Sequence, residues 1–129
     1  MTDITFPIII SSQGALGYFE DESALKCSAT AFANGYYHKM IIIDSNCNKY
    51  IVTQVKLFDD KKLSLIDMLL NRIVKVSIST ELICKMSLSE VKNLIYTVDK
   101  RDITAEMRLQ IMKSTTIESV VKIIKDKFY

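Results

Sequence analysis

Between Tyr36 and Leu57 the chain reads YYHKMIIIDSNCNKYIVTQVKL, two apolar runs on either side of a short polar stretch. β-branched and aromatic runs of this kind form strands, and Ser45-Asn46-Cys47-Asn48 carries side chains that support tight turns and left-handed backbone. The segment therefore predicts a β-hairpin, His38 to Asp44 against Lys49 to Leu57, with Ile51, Val55 and Leu57 on one face of its second strand. A sheet with at least one antiparallel pair must sit near the middle of the chain.

The flanking sequence fills in the rest. Thr5 to Ser11 reads as a first strand, with Pro7 placing it at an edge or marking its beginning, because proline cannot donate to a ladder. Gly14 and Gly17 punctuate a turn. Asp21 as a cap, acids in the first turn, and Asn34-Gly35 as a stop predict a helix from about Glu22 to Ala31, with Leu25, Ala29 and Phe32 on its buried side. Ser64 with Asp67 resembles a capping box for a helix in LSLIDMLLNRI, after which Val74, Val76 and Ile78 alternate inward as a fourth strand. Three helices follow. Ser87 with Glu90 opens the first, Asp102 or Thr104 precedes the second, and Thr115 with Glu118 opens the last. The expected fold is α+β: a small antiparallel sheet of about four strands with an early helix, then a helical C-terminal half packed on it.

Composition limits the organisation. With 129 residues, 49% hydrophobic and 25% charged, the chain fits one globular domain, 1–129, able to bury about two-thirds of its unfolded surface. No apolar run approaches the roughly 20 residues of a membrane span, and no membrane partner is expected. The N-terminal MTDITFPIII has an acid and no base before its apolar run, unlike a secretory signal, so a cytoplasmic location is expected. Cys27, Cys47 and Cys84, without a CxxC pair, suit a reducing compartment and read as buried or incidental thiols.

Chemistry-bearing motifs are sparse. His38 is the lone histidine; a small enzyme would need it beside a thiol or carboxylate, and a partly exposed strand-end histidine is the simpler reading. The thiols and His38 lack zinc-ligand spacings, and Gly14 and Gly17 lack the lysine or third glycine of a phosphate loop. No cofactor or metal is expected. No basic run exceeds two residues and the aromatics are scattered, which argues against a nucleic-acid partner. Lys122, Lys125 and Lys127 lie opposite Val120, Val121, Ile124 and Phe128, as in a terminal helix docked on a core with lysines outside.

Charge, in contrast, is uneven. Residues 1–60 hold seven acids and four bases, while 61–129 hold thirteen bases and eight acids. A glycine turn, an acidic helix start YFEDESAL and the hairpin GYY…IIIDSNCNKYIV follow the first strand. In that order, over Ile8 to Leu57, the chain resembles small bacterial immunity proteins, the cytosolic antidotes of polymorphic and contact-dependent growth-inhibition toxins. Asn46-Cys47-Asn48 stands where the resemblance would place a glycine. It implies a non-enzymatic protein that neutralises a cognate toxin domain, such as a nuclease, by stoichiometric binding, itself expected to be a monomer. Glu20, Glu22, Asp44, Asp59 and Asp60 would then face a basic toxin, with Tyr36 and Tyr37 as aromatic anchors. The alternative is a structural or adaptor subunit that oligomerises through its helical half, where Met86, Met107 or Met112 offers an adaptable contact.

Overall fold

A computed structural model describes residues 4–12, 15–97 and 103–128, without the side chains of Ser12, Ala15, Asp60 and Phe128. Along the chain lie β1 (Ile8–Ser12), β2 (Ala15–Phe19), β3 (Lys26–Ser28), α1 (Ala29–Ala33), β4 (Ile41–Ile43), β5 (Asn48–Leu57), α2 (Leu65–Leu69), β6 (Ile73–Lys85), α3 (Leu88–Tyr96), α4 (Ala105–Lys113) and α5 (Ile117–Phe128). The strands form one curled antiparallel sheet in the order β2-β1-β4-β5-β6-β3.

Why the central strands are so uniformly apolar follows from their place. Ile8, Ile10 and Ile42 point to one side of the sheet, into an inner core with Leu25, Tyr50, Val52, Val76 and Ile78. Ile9 and Ile43 point the other way, into a second core with Val91, Ile95, Ile111, Val120 and Ile124 of α3, α4 and α5. Successive side chains of a strand face opposite sides, so a triplet of isoleucines needs a cover on both. The C-terminal helices supply the outer cover, and α1 with the Leu25 and Tyr37 segments supplies much of the inner one.

The α+β class agrees with the sequence expectation, but six strands among the described residues replace about four. Residues Ala15–Phe19, read as part of a glycine turn, pair with β1 from Ile8↔Phe19 to Ser12↔Ala15. Gly17 is thus a strand residue, and Gly14 lies outside the described residues. The single helix expected over Glu22 to Ala31 is broken into a 3-10 turn at Glu22–Ala24, β3 and α1. Asp21 caps the turn as expected, accepting from the Ser23 N–H at 2.9 Å. Then Leu25 and Cys27 alternate inward at strand period, and Val76 N–H to Leu25 O and Ala29 N–H to Arg72 O fasten the segment to β6. Sheet pairing outweighs helix propensity there. Ser28 serves as a second cap, for α1.

The hairpin forms, with changes at both ends. Its first strand begins at Ile41, because residues 35–39 turn, with Tyr37 and Lys39 at positive φ. In β5 an extra residue at Thr53, between the pairs Val52↔Thr80 and Gln54↔Ser79, reverses the side-chain parity. Tyr50 and Val52 therefore join Val55 and Leu57 in the inner core, and Ile51 does not share their face. Pro7 immediately precedes β1, which lies inside the sheet rather than at its edge.

Capping chemistry is the most legible feature. Both halves of the boxes Ser64/Asp67 and Ser87/Glu90 are formed, and Thr104 caps α4. Asp102, the alternative cap, and the Lys100-Arg101 pair lie outside the described residues. At α5 the cap falls one residue later than expected: Thr116 accepts from the Ser119 N–H at 3.2 Å.

Candidate functional site

The hairpin turn is built around a buried carboxylate. Asp44 is 1% exposed. Its Oδ1 accepts the Asn46 and Asn48 N–H groups at 2.9 and 3.0 Å, and its Oδ2 accepts from the Thr5 N–H at 3.3 Å and the Tyr50 hydroxyl at 3.4 Å. These bonds hold Cys47 at φ 63°, a conformation that glycine would adopt more cheaply. The Cys47 carbonyl accepts from the Met86 N–H at 2.7 Å, tying the turn to the end of β6. Ser45 donates its hydroxyl to Pro7 O at 2.7 Å. The turn is thereby fixed against the start of β1.

Beside it, α5 crosses the edge strand β2. Val120, Val121 and Ile124 are buried, and the lysines of the same helix are left at the rim. Between α5, β2 and the hairpin turn lies a groove of about 350 Å³, floored by Pro7, Ile117 and Val121 and edged by Glu20, Glu118 and Lys122. Tyr18, itself buried, donates its hydroxyl to Glu20 in this groove, and Lys125 approaches the same carboxylate at 3.5 Å. The Tyr18 hydrogen bond holds the Glu20 carboxyl below the ordinary glutamate range; desolvation opposes it, and Lys125 adds a smaller lowering. The rim carries Glu20, Glu118 and Asp126 against Lys122 and Lys125, an excess of one acid over an apolar floor, and such a rim accepts a long side chain whose stem is apolar and whose head is cationic.

The residues expected to face a partner are not gathered on one surface. Glu20 lines the groove. Glu22 sits in the 3-10 turn before β3, half-buried. Asp44 and Asp59 flank the ten residues of β5, about 30 Å apart by strand rise. Asp59 is exposed at φ 62°, and the side chain of Asp60 lies outside the described residues. Asp44 is corrected from a partner contact to the organiser of its turn, since a carboxylate enclosed by four donors presents nothing outward.

Tyr37 is corrected too: at 2% exposure it lies in the inner core, its hydroxyl donating to Lys26 O at 2.9 Å, and burial pushes its phenol strongly upward. Tyr36 remains 45% exposed, its ring 4.5 Å from that of Tyr37. Of the methionines expected at an oligomer contact, Met86 is buried and Met107 packs on the outer core; Met112 is exposed.

Of the residues lining the groove only Glu20 was expected to face a partner; those of α5, Ile117, Glu118, Val121, Lys122, Lys125 and Asp126, were outside that set. Their signal was the amphipathic lysine stripe of α5, read as a solvated back. Burial raises the thiols of Cys27 and Cys47, the latter further opposed by Asp44, and Cys84 is exposed. His38 is exposed in the turn before β4. Among the described residues no group of three His, Cys, Asp or Glu side chains is placed to hold a metal ion, and no helix is long and apolar enough to cross a membrane. The chain matches no protein-family model, no curated protein and no solved structure.

Proposed function

We propose that this chain is a bacterial immunity protein, a cytoplasmic antidote that neutralises a cognate toxin domain by stoichiometric binding without turnover. The observation that supports this most is the α5 groove, where Glu20 and Glu118 stand over Pro7, Ile117 and Val121 beside a rigid hairpin turn. A lysine or arginine of the toxin enters it, stem on the apolar floor and head against the carboxylates. Glu20 is then the residue of the expected acidic set with the clearest role, whereas Tyr36 lines a separate pocket with Ile10, Phe19 and Met40 and is no part of this contact.

The test is co-purification with, and protection against, the toxin domain encoded beside the gene. Glu118→Lys, an exposed change, is expected to weaken binding at least about tenfold, as loss of one charged partner at an interface does. A toxin domain that neither binds the intact protein nor is neutralised by it sinks the reading. Full neutralisation by Glu118→Lys and Glu20→Lys variants would move the contact elsewhere.

A further inference from the structure

Among the described residues the helix that leaves its apolar side chains most exposed is α2. Leu65, Ile66, Leu69 and Leu70 recur at helical spacing, and Ile73 follows at the start of β6; all five are between 58 and 75% exposed. Exposure of that degree means the side chains stand out from the surface as a ridge. The helix is well made nonetheless, since both halves of its capping box are present.

Around the ridge acids and bases are equal in number, Asp21, Glu22, Asp59, Asp60 and Asp67 with Lys26, Lys61, Lys62, Arg72 and Lys75, and it is the wall lined by Lys61, Lys62 and Lys75 that is distinctly basic. Lys61 and Lys62 precede it, Arg72 follows, and Lys75 pairs with Lys26 across β6 and β3. Of the acids in this region, Asp67 is taken up by the Ser64 N–H at 3.4 Å and by Arg72 at 3.7 Å, Asp21 by the Ser23 N–H and hydroxyl, and Asp59 is exposed. A cleft of about 270 Å³ opens next to the ridge. Lys61, Lys62 and Lys75 line it with Asp67, over Leu57, Phe58, Ile73 and Val74, and Lys75 Nζ lies 4.3 Å above the Phe58 ring.

We propose that this face docks on an anionic phospholipid bilayer, α2 entering the interface with its leucines while Lys61, Lys62 and Lys75 take lipid phosphates. A convex apolar ridge needs a surface that yields around it, and a bilayer interface does so. The basic wall selects negative headgroups. A second copy is disfavoured at the same face, because a two-fold contact would set one basic wall against another. The expectation of no membrane partner came from the lack of a long apolar run, a criterion that does not reach a five-residue helix.

The experiment is co-sedimentation of the intact chain with vesicles of phosphatidylcholine alone and with about a third phosphatidylglycerol. Binding to the anionic vesicles only, lost at high salt, is expected. Lys61→Gln with Lys62→Gln should weaken it about 30-fold, and Leu65→Ser with Leu69→Ser more than about 100-fold, circular dichroism remaining unchanged. No binding to anionic vesicles overturns the proposal, as does equal binding by the leucine variant. Two further outcomes also overturn it: self-association removed by Leu69→Asp without vesicle binding, which assigns the face to a second copy, and loss of toxin neutralisation in the leucine variant without vesicle binding, which assigns it to a protein. Of these results only the last bears on the groove at α5, since it would bring the α2 face into the toxin contact; the vesicle and self-association results leave that reading untouched.

Discussion

Helices α2 and α5 are built from the same kind of sequence and end up in opposite situations. Each has a hydroxyl cap at its start and leucines, isoleucines or valines at helical spacing. In α5 the apolar stripe faces the sheet, and Val120 and Ile124 are fully buried. In α2 the stripe faces outward. The difference lies in what stands beside them: α5 lies over β2, whose Leu16 and Tyr18 complete the outer core, whereas α2 is a single capped turn followed after Leu70 by Asn71 at φ 45° and then by β6. An amphipathic pattern therefore states that a helix has a face to bury, without stating whether its own chain will bury it.

The contrast can be broken by substitution. The largest effect is expected from Ile124→Ala, about 3–4 kcal/mol in urea unfolding, while Leu69→Ala should stay within about 0.5 kcal/mol. Comparable losses at the two positions would mean that α2 is covered after all. Next comes Asp44→Ala, which strands two turn amides and should cost about 2–3 kcal/mol with early hydrogen exchange at Asn46 and Asn48. An unchanged exchange pattern there would refute the organising role of the carboxylate.

Cap removal sharpens the comparison further. Ser87→Ala should lower global stability by about 1 kcal/mol, because α3 carries Val91 and Ile95 into the outer core. Ser64→Ala should instead fray α2 locally, visible as faster amide exchange at Asp67 with a smaller change in the unfolding midpoint. Equal global losses would show the two helices to be equally coupled to the core.

The smallest effect concerns pH. Glu20 has a lowered pKa in the folded chain, so its pairing contributes above the ordinary glutamate range and fades as pH falls through the depressed value. Tyr18→Phe should return the Glu20 titration, followed by carboxyl NMR shifts, toward that ordinary range. A curve unmoved by the substitution would show that the Tyr18 hydroxyl is not its main cause.

Local rules account for much of what was legible. The Ser64 and Ser87 boxes, the Asn34-Gly35 stop, the hairpin and the inward alternation of Val74, Val76 and Ile78 depend on atoms within a few residues of one another. Where expectation failed, pairing with another strand intervened, far along the chain in one case and next to it in the other. Residues 26–28 became a strand because β6 offered a matching edge, and Ala15–Phe19 because β1 did. The inserted Thr53 changed which side of β5 faces the core. Of the candidate site, Glu20 was foreseen and Asp44 and Tyr37 were misjudged, since acidity and aromaticity announce a polar or bulky side chain and not whether four donors or a core will enclose it.

By itself, then, the sequence determined the class of fold, the starts of α2, α3 and α4 and the presence of a hairpin, because capping, turn chemistry and hydrophobic period act over short stretches of chain. Tertiary structure alone decided that two isoleucine triplets would be covered on both faces, that α5 would border a groove containing Glu20, and that α2 would keep its leucines in solvent. Each of these turns on which surfaces meet across the fold, and burial is a property of both partners in a contact, only one of which is written in any local stretch of residues.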